Sequence, residues 1–155
     1  MFGRTVLGVV GTSIQLLADG RQGDKPVGGI TIDWSTVAAV SGSDAVLSDS
    51  VTVKVGSSYL RYGQVICKIT ASGKYGPYDP AATDGRQTLA RGSAWLLNRT
   101  VVNNDPKADY PDVINGGTVY KARLIQAGTG AASLAAGPTL ANLESTFPKL
   151  DYATV

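Results

Sequence analysis

Apolar positions in this chain of 155 residues come in short runs broken by turn clusters. In "ITIDWSTVAAV" (30–40), Ile30, Ile32 and Trp34 alternate with Thr31, Asp33 and Ser35, which is the period of a half-buried strand. "SGSDAVLSDS" is a turn cluster with a short apolar insert, and "VTVKV" (51–55) is a cleanly alternating strand. In "YLRYGQVICKIT" (59–70), Tyr59 and Arg61 face opposite to Leu60 and Tyr62. The isolated Gly63 predicts a bulge or tight turn before the buried run Val65 to Cys67. Residues 87–102 read as a strand bent at Gly92, 103–117 as a long polar connection, and "TVYKARLI" (118–125) as another strand. In the stretch after Gly137, Thr139 is placed to cap a helix. Leu140, Leu143 and Phe147 then recur at helical spacing until Pro148 stops the run. "LDYATV" reads as a short closing strand.

The N-terminal 29 residues differ from the rest. "TVLGVV" and "SIQLL" have strand character, with a helical turn as the alternative for the second. "GRQGDKPVGG" (20–29) then has the composition of a flexible linker. The predicted organisation is an N-terminal arm or extension over 1–29 and one β-rich domain over 30–155 with one C-terminal helix.

Composition sharpens this picture. Glycine is abundant at 19 residues, and a single glutamate, Glu144, stands against eleven aspartates. Glutamate suits helix interiors and aspartate suits turns and caps, so the balance favours strands and turns, a mainly β fold with a minor α component. The formal net charge is +2 with basic residues scattered along the chain, so the basic run expected of a nucleic-acid binder is missing. Apolar runs near the N-terminus are too short and too broken by Gly8, Gly11, Thr12 and Ser13 for a membrane span, and no signal-peptide pattern is expected there.

Candidate chemistry is sparse. The chain has no histidine and one cysteine, Cys67. That removes the commonest general base, the Ser/His and Cys/His pairs and thiolate metal sites from a single chain. Cys67 ends an apolar run and reads as a small core residue. Asp79 and Asp84, and Asp105, Asp109 and Asp112, lie in two long loops. Pro80, Pro106 and Pro111 adjoin three of these, and Asp84-Gly85 is a turn dipeptide, so turn chemistry outweighs an acid pair or a cation site. "GTGAA" (128–132) lacks the lysine of a P-loop and the spacing of a dinucleotide site. Tyr75 and Tyr78, with Lys74 and Arg86, would stack bases only beside a basic groove, which the sequence does not show.

The residues "GQVICKITASGKYGPYDPAATDGRQTLARGSAWL" carry a resemblance. Gly63, Val65, Lys68, Ile69 and Thr70 resemble the end of a strand in the lambda-like head decoration family of tailed phages. Gly73, Lys74, Tyr75, Pro77, Tyr78, Asp79, Pro80, Ala81, Ala82, Asp84 and Gly85 follow in the order of that family's loop. "GGTVYKARLI" is similar to its next long strand and "LESTFPKLDY" to its closing helix and strand, so the resemblance spans roughly residues 45–152.

The resemblance implies a capsid-stabilising protein that assembles as a homotrimer on the outside of an expanded phage head and cements neighbouring major capsid subunits. It implies no catalysis and no cofactor; from the charge pattern, the broken apolar runs and the sparse ligands, no metal is expected, and neither nucleic acid nor membrane as partner. Synthesis is expected in the host cytoplasm. The competing readings are a carbohydrate-binding or tail-associated virion protein stacking sugars on Trp34, Tyr75 and Tyr78, and a hydrolase with paired aspartates. Phe2, Arg4, Thr5, Val6, Leu7, Val9 and Val10 are the expected capsid contacts, because a strand there can add to an open sheet edge; the alternative is that residues 5–17 fold into the domain's own sheet. Lys74, Tyr75, Pro77, Tyr78, Asp79, Pro80, Asp84 and Gly85 are expected to hold a rigid loop shape or a trimer contact. Trp95 and Tyr78 are the aromatic candidates for the trimer interface.

Overall fold

Two apolar runs, Val65–Lys68 and Ala94–Leu97, organise the fold, because their alternate residues point into two different cores. The computed structural model describes residues 26, 28–47, 49–105, 111–125 and 137–154. The expectations for residues 1–25 and for "GTGAA" lie outside them. The described strands are β1 (Ala45–Val46), β2 (Thr52–Val53), β3 (Tyr59–Leu60), β4 (Val65–Lys68), β5 (Tyr75–Pro77), β6 (Ala94–Leu97), β7 (Val101–Val102), β8 (Val113–Ile114), β9 (Gly116–Tyr120) and β10 (Lys149–Ala153). One α-helix, α1 (Leu140–Thr146), lies near the C-terminus, so among the described residues the fold is β-rich with a single helix.

The central sheet has the order β5-β4-β6-β8 and is antiparallel throughout. On one face, Val65, Cys67, Ala94, Leu96 and Ile114 pack with Val119, Leu124, Leu143, Phe147 and Leu150. On the other, Ile66, Trp95, Leu97 and Val113 pack with Ile30, Ile32, Leu60, Tyr75 and Val101. A sheet covered on both faces needs apolar residues at consecutive positions, so "VIC" and "AWLL" read as continuous runs and not as alternations. Trp95, expected as a trimer contact, is only 3% exposed. It lies inside the monomer's own second core.

The first core is closed by α1 and β10. Thr139 accepts from the backbone N–H of Asn142, and the Asn142 side chain accepts from the backbone N–H of Thr139, a capping box. A seven-residue helix is too short to persist alone. Burying Leu143 and Phe147 contributes about 1.5–3 kcal/mol each against roughly 1 kcal/mol for the cap, so packing holds the helix in place. After Phe147 and Pro148 the chain runs parallel to β9, with Lys149 opposite Gly116 and Ala153 opposite Tyr120.

Gly63 breaks the run between β3 and β4, as its isolation predicts. It has φ +81, and an added Cβ would run into the Arg123 carbonyl. The predicted facing also holds: Leu60 and Tyr62 are buried while Tyr59 and Arg61 are half-buried.

Other boundaries differ from expectation. Residues 30–40 do not form one strand. The Asp33 carboxylate accepts from the Ser35 N–H at 3.1 Å and its hydroxyl at 2.6 Å, which turns the chain into a 3₁₀ turn at Trp34–Thr36. The turn cluster at 41–50 supplies β1, which pairs with β2. The bent strand at 87–102 is two strands, β6 and β7, in two sheets. The polar connection 103–117 contains β8, and the strand expected at 118–125 starts at Gly116 and ends at Tyr120, ahead of a 3₁₀ turn at Lys121–Arg123.

Candidate functional site

The stretch from Cys67 to Gly92 is more than a connection, because it contains β5, the outer strand of the central sheet. The Ile69 N–H donates to the Lys74 carbonyl at 2.7 Å and the Gly73 N–H to the Ile69 carbonyl at 2.9 Å, which closes a tight turn at the exposed residues 71–74. The register then sets Lys68 opposite Tyr75 and Ile66 opposite Pro77. Tyr75 is 6% exposed and belongs to the second core, so it packs inward and offers no stacking surface.

The outer edge of β5 is itself covered. The Tyr75 N–H donates to the Thr31 carbonyl and the Asp33 N–H donates to the Tyr75 carbonyl, both at 2.8 Å. Ile32 thus forms a parallel bridge to Tyr75, a one-residue strand added to the sheet edge. Sequence alternation marks Ile32 as inward but says nothing of its partner.

Beyond β5 the loop is built from turns. The Tyr78 N–H donates to the Val65 carbonyl at 2.9 Å, and its ring packs on the first core. Burial raises the Tyr78 hydroxyl pKa, with neighbouring Cys67 and Asp79 adding to the shift. The Asp79 carboxylate accepts from the Ala81 N–H at 2.9 Å, across Pro80. Asp84 accepts from the Arg86 backbone N–H at 3.1 Å and from its Nε at 2.9 Å. The backbone N–H and then the guanidinium of Arg86 hold the Asp84 carboxyl below the usual carboxylate range. Gly85 has φ +115, and a Cβ there would come within 2.5 Å of the Lys68 carbonyl. The loop's Asp-Gly pair is therefore fitted against the end of β4.

These positions bear on the chemical alternatives, apart from Asp109, which lies outside the described residues. Asp79 and Asp84 are each occupied by donors from their own loop, and Asp112 accepts from the Asn98 side chain at 2.9 Å. No group of three potential metal ligands occurs among the described residues. The stacking platform of Trp34, Tyr75 and Tyr78 does not form: Tyr75 is in the core, and Trp34 and Tyr78 pack against opposite faces of the sheet. Cys67 is fully buried, and burial pushes its thiol pKa up to about 12, which fits a core residue. No helix among the described residues is long and apolar enough to cross a membrane. Phe2, Arg4, Thr5, Val6, Leu7, Val9 and Val10 lie outside the described residues.

Residues 34–110 match the family model described as bacteriophage lambda head decoration protein D. The match takes in β1 to β7 and the whole loop around β5. It starts earlier than the resemblance read from the sequence, and β8 to β10 and α1 lie beyond it. No curated protein and no solved structure matches the chain. A β-rich fold and this match together define a structural protein of the virion, one that decorates a phage capsid. The chain belongs to the lambda-like head decoration family. Its place is accordingly the capsid of the virion, and its role is to bind there.

Proposed function

We propose that this protein assembles as a homotrimer on the outer surface of the expanded head and cements neighbouring major capsid subunits against internal pressure. The observation that carries the reading is the family match over residues 34–110, which takes in the rigid loop around β5. A protein that binds the closed shell and not its separated subunits stabilises the shell by mass action. Three copies of a weak contact act at high effective concentration once the first has formed. Residues 1–29 form the arm in this reading, with Phe2, Arg4, Thr5, Val6, Leu7, Val9 and Val10 as capsid contacts and residues 20–29 as the tether. Residues 30–155 form the body, whose loop from Lys74 to Gly85 holds its shape.

The test compares electron-microscopy maps of expanded heads with and without the protein, and repeats the binding with residues 1–20 deleted. The expected result is three-fold density outside the shell for the full chain, and a folded trimer that no longer binds for the truncation. A monomer in light scattering at micromolar concentration counts against the trimer. Normal head binding by the truncation counts against the arm.

A further inference from the structure

The antiparallel register gathers a set of cations at one end of the central sheet. β4 finishes at Lys68 where β5 begins, next to Lys74. The Lys68 N–H donates to the Ser93 carbonyl at 2.9 Å, so β6 also begins there, just after Arg91. β8 finishes at the same end, and Lys149 enters beside it opposite Gly116. Arg91, Asn115 and Lys149 line one shallow cleft there. Lys68, Lys74, Arg91 and Lys149 are all exposed. Of the aspartates at this end, Asp84 is paired with Arg86, whereas Asp33 is bonded by the neutral Ser35 and its carboxylate offsets part of the Lys74 charge. The opposite end is mixed in sign, with Asp79 and Asp112 among Arg61 and Arg99.

The same end is where residues 28–30 join the body. Ile32 runs parallel to β5, so Ile30, Gly29 and Gly28 lie beyond its first residue, on the side of Lys74. Gly28 and Gly29 are exposed while Ile30 is buried. Gly28 and the residues that precede it in sequence are therefore joined to the body at the basic end. A contact made by that segment tethers this end closest to whatever it binds, where effective concentration is greatest.

We propose that this end of the sheet, centred on Lys68 and Lys74, is the face that the body lays against the shell, and that its occupant is an acidic patch on the outer surface of the capsid protein. The proposal rests on the reading of the chain as a capsid-binding protein. Like-signed side chains with no core contacts raise the encounter rate with an oppositely charged surface and set the orientation of docking. They add less to the final affinity, which leaves a distinctive kinetic signature.

The experiment measures association of the full chain with expanded heads of the same phage assembled without it, at low salt and at physiological salt. The variants are Lys68→Glu/Lys74→Glu, the milder Lys68→Gln/Lys74→Gln, and Arg99→Glu at the opposite end of β6. The expected result is a fall in association rate of roughly tenfold or more for the glutamate pair at low salt, a smaller fall for the glutamine pair and little change for Arg99→Glu. Added salt narrows these differences, because the Debye length shrinks to about 8 Å at 0.15 M. All three variants should keep the wild-type thermal midpoint, since the substituted side chains are exposed.

If the wild type binds heads and the glutamate pair binds at the same rate at low salt, this proposal is overturned while the capsid-binding reading stands. If the wild type does not bind heads, both fall. Tight binding of duplex DNA by the full chain, lost in the glutamate pair while head binding persists, overturns the acidic-protein occupant.

Discussion

The Thr100 hydroxyl donates to Asp49 Oδ2 at 2.6 Å, joining residues 51 positions apart. Asp49 sits at the tip of the hairpin formed by β1 and β2, and Thr100 lies between β6 and β7. The same hydroxyl oxygen accepts from the Tyr62 N–H at 3.3 Å. One side chain thus ties a two-stranded hairpin, which is marginal alone, to the body.

Replacing Thr100 with Val keeps the shape and removes both bonds. Asp49 is 9% exposed, so its carboxylate is left buried without this partner. The expected cost is about 1–3 kcal/mol, read as a lower denaturant midpoint with unchanged slope. An unchanged midpoint would show that the hairpin tip is held by other contacts. Thr100→Ser, which retains the hydroxyl, should recover most of the loss.

Gly85→Ala should be more damaging. The backbone there has φ +115, and the added carbon would meet the Lys68 carbonyl at 2.5 Å and the Thr70 N at 3.0 Å. Both are backbone atoms at the end of the sheet and cannot rotate away. The expected loss is roughly 2–4 kcal/mol by urea unfolding. A loss below 0.5 kcal/mol would mean that the loop is not fitted to β4 as described.

What the sequence made legible follows from the kind of information each element depends on. The helix was readable because Thr139, Leu143, Phe147 and Pro148 encode it locally, through a cap, a face and a stop. Gly63 was readable for the same reason. β5 was not, because "KYGPY" carries two prolines nearby and a glycine, and its strand state comes from pairing with Cys67 and Ile32. The sequence read the loop's aspartates correctly as turn residues, since Asp-Pro and Asp-Gly act within a few residues of themselves. It read Trp95 as an interface candidate because an aromatic residue looks the same at an interface and in a core. The cluster of Lys68, Lys74, Arg91 and Lys149 spans 82 positions and emerges only from the register.

Cys67 supplies a pH test. Its thiol pKa is raised from 9.0 to about 12, chiefly by burial. The folded state therefore holds the proton more tightly than the unfolded state. The stabilisation is fully present below pH 9 and is lost as pH rises towards about 12, with a slope of up to about 1.4 kcal/mol per pH unit. Cys67→Ala should be less stable at pH 7, since it leaves a small cavity, and should lose stability less steeply than the wild type between pH 9 and 12. Parallel curves for the two proteins would refute the assignment. In the native state the thiol should also resist iodoacetamide until the protein is unfolded.

Asp84 gives the opposite sign. Its carboxyl is held below its ordinary value of 3.8 by Arg86, so its contribution is present above that value and is lost as pH falls through the folded one. Asp84→Asn should flatten the acid limb of stability below pH 4. The effect is small because the carboxylate is open to solvent. A wild-type acid limb in the variant would mean that the pair contributes nothing.

Strand addition by residues 1–29, proposed above as an arm, can be tested with proline. A strand that adds to an open sheet edge does so through its backbone N–H groups, and proline has none. If "TVLGVV" pairs with a capsid strand, Val6→Pro or Val9→Pro should abolish or sharply weaken head binding, according to which residue's N–H faces the capsid strand. Conservative changes such as Val6→Ile should be tolerated, since side chains on an added strand set specificity more than affinity. The oligomeric state and the thermal midpoint of the body should stay unchanged, because residues 31–33 remain paired to β5 through Tyr75. Binding that survives both prolines but fails when Phe2, Leu7 and Val10 are changed to Ser would replace strand addition with side-chain insertion. Loss in one proline variant and not the other would identify which alternate positions pair with the shell.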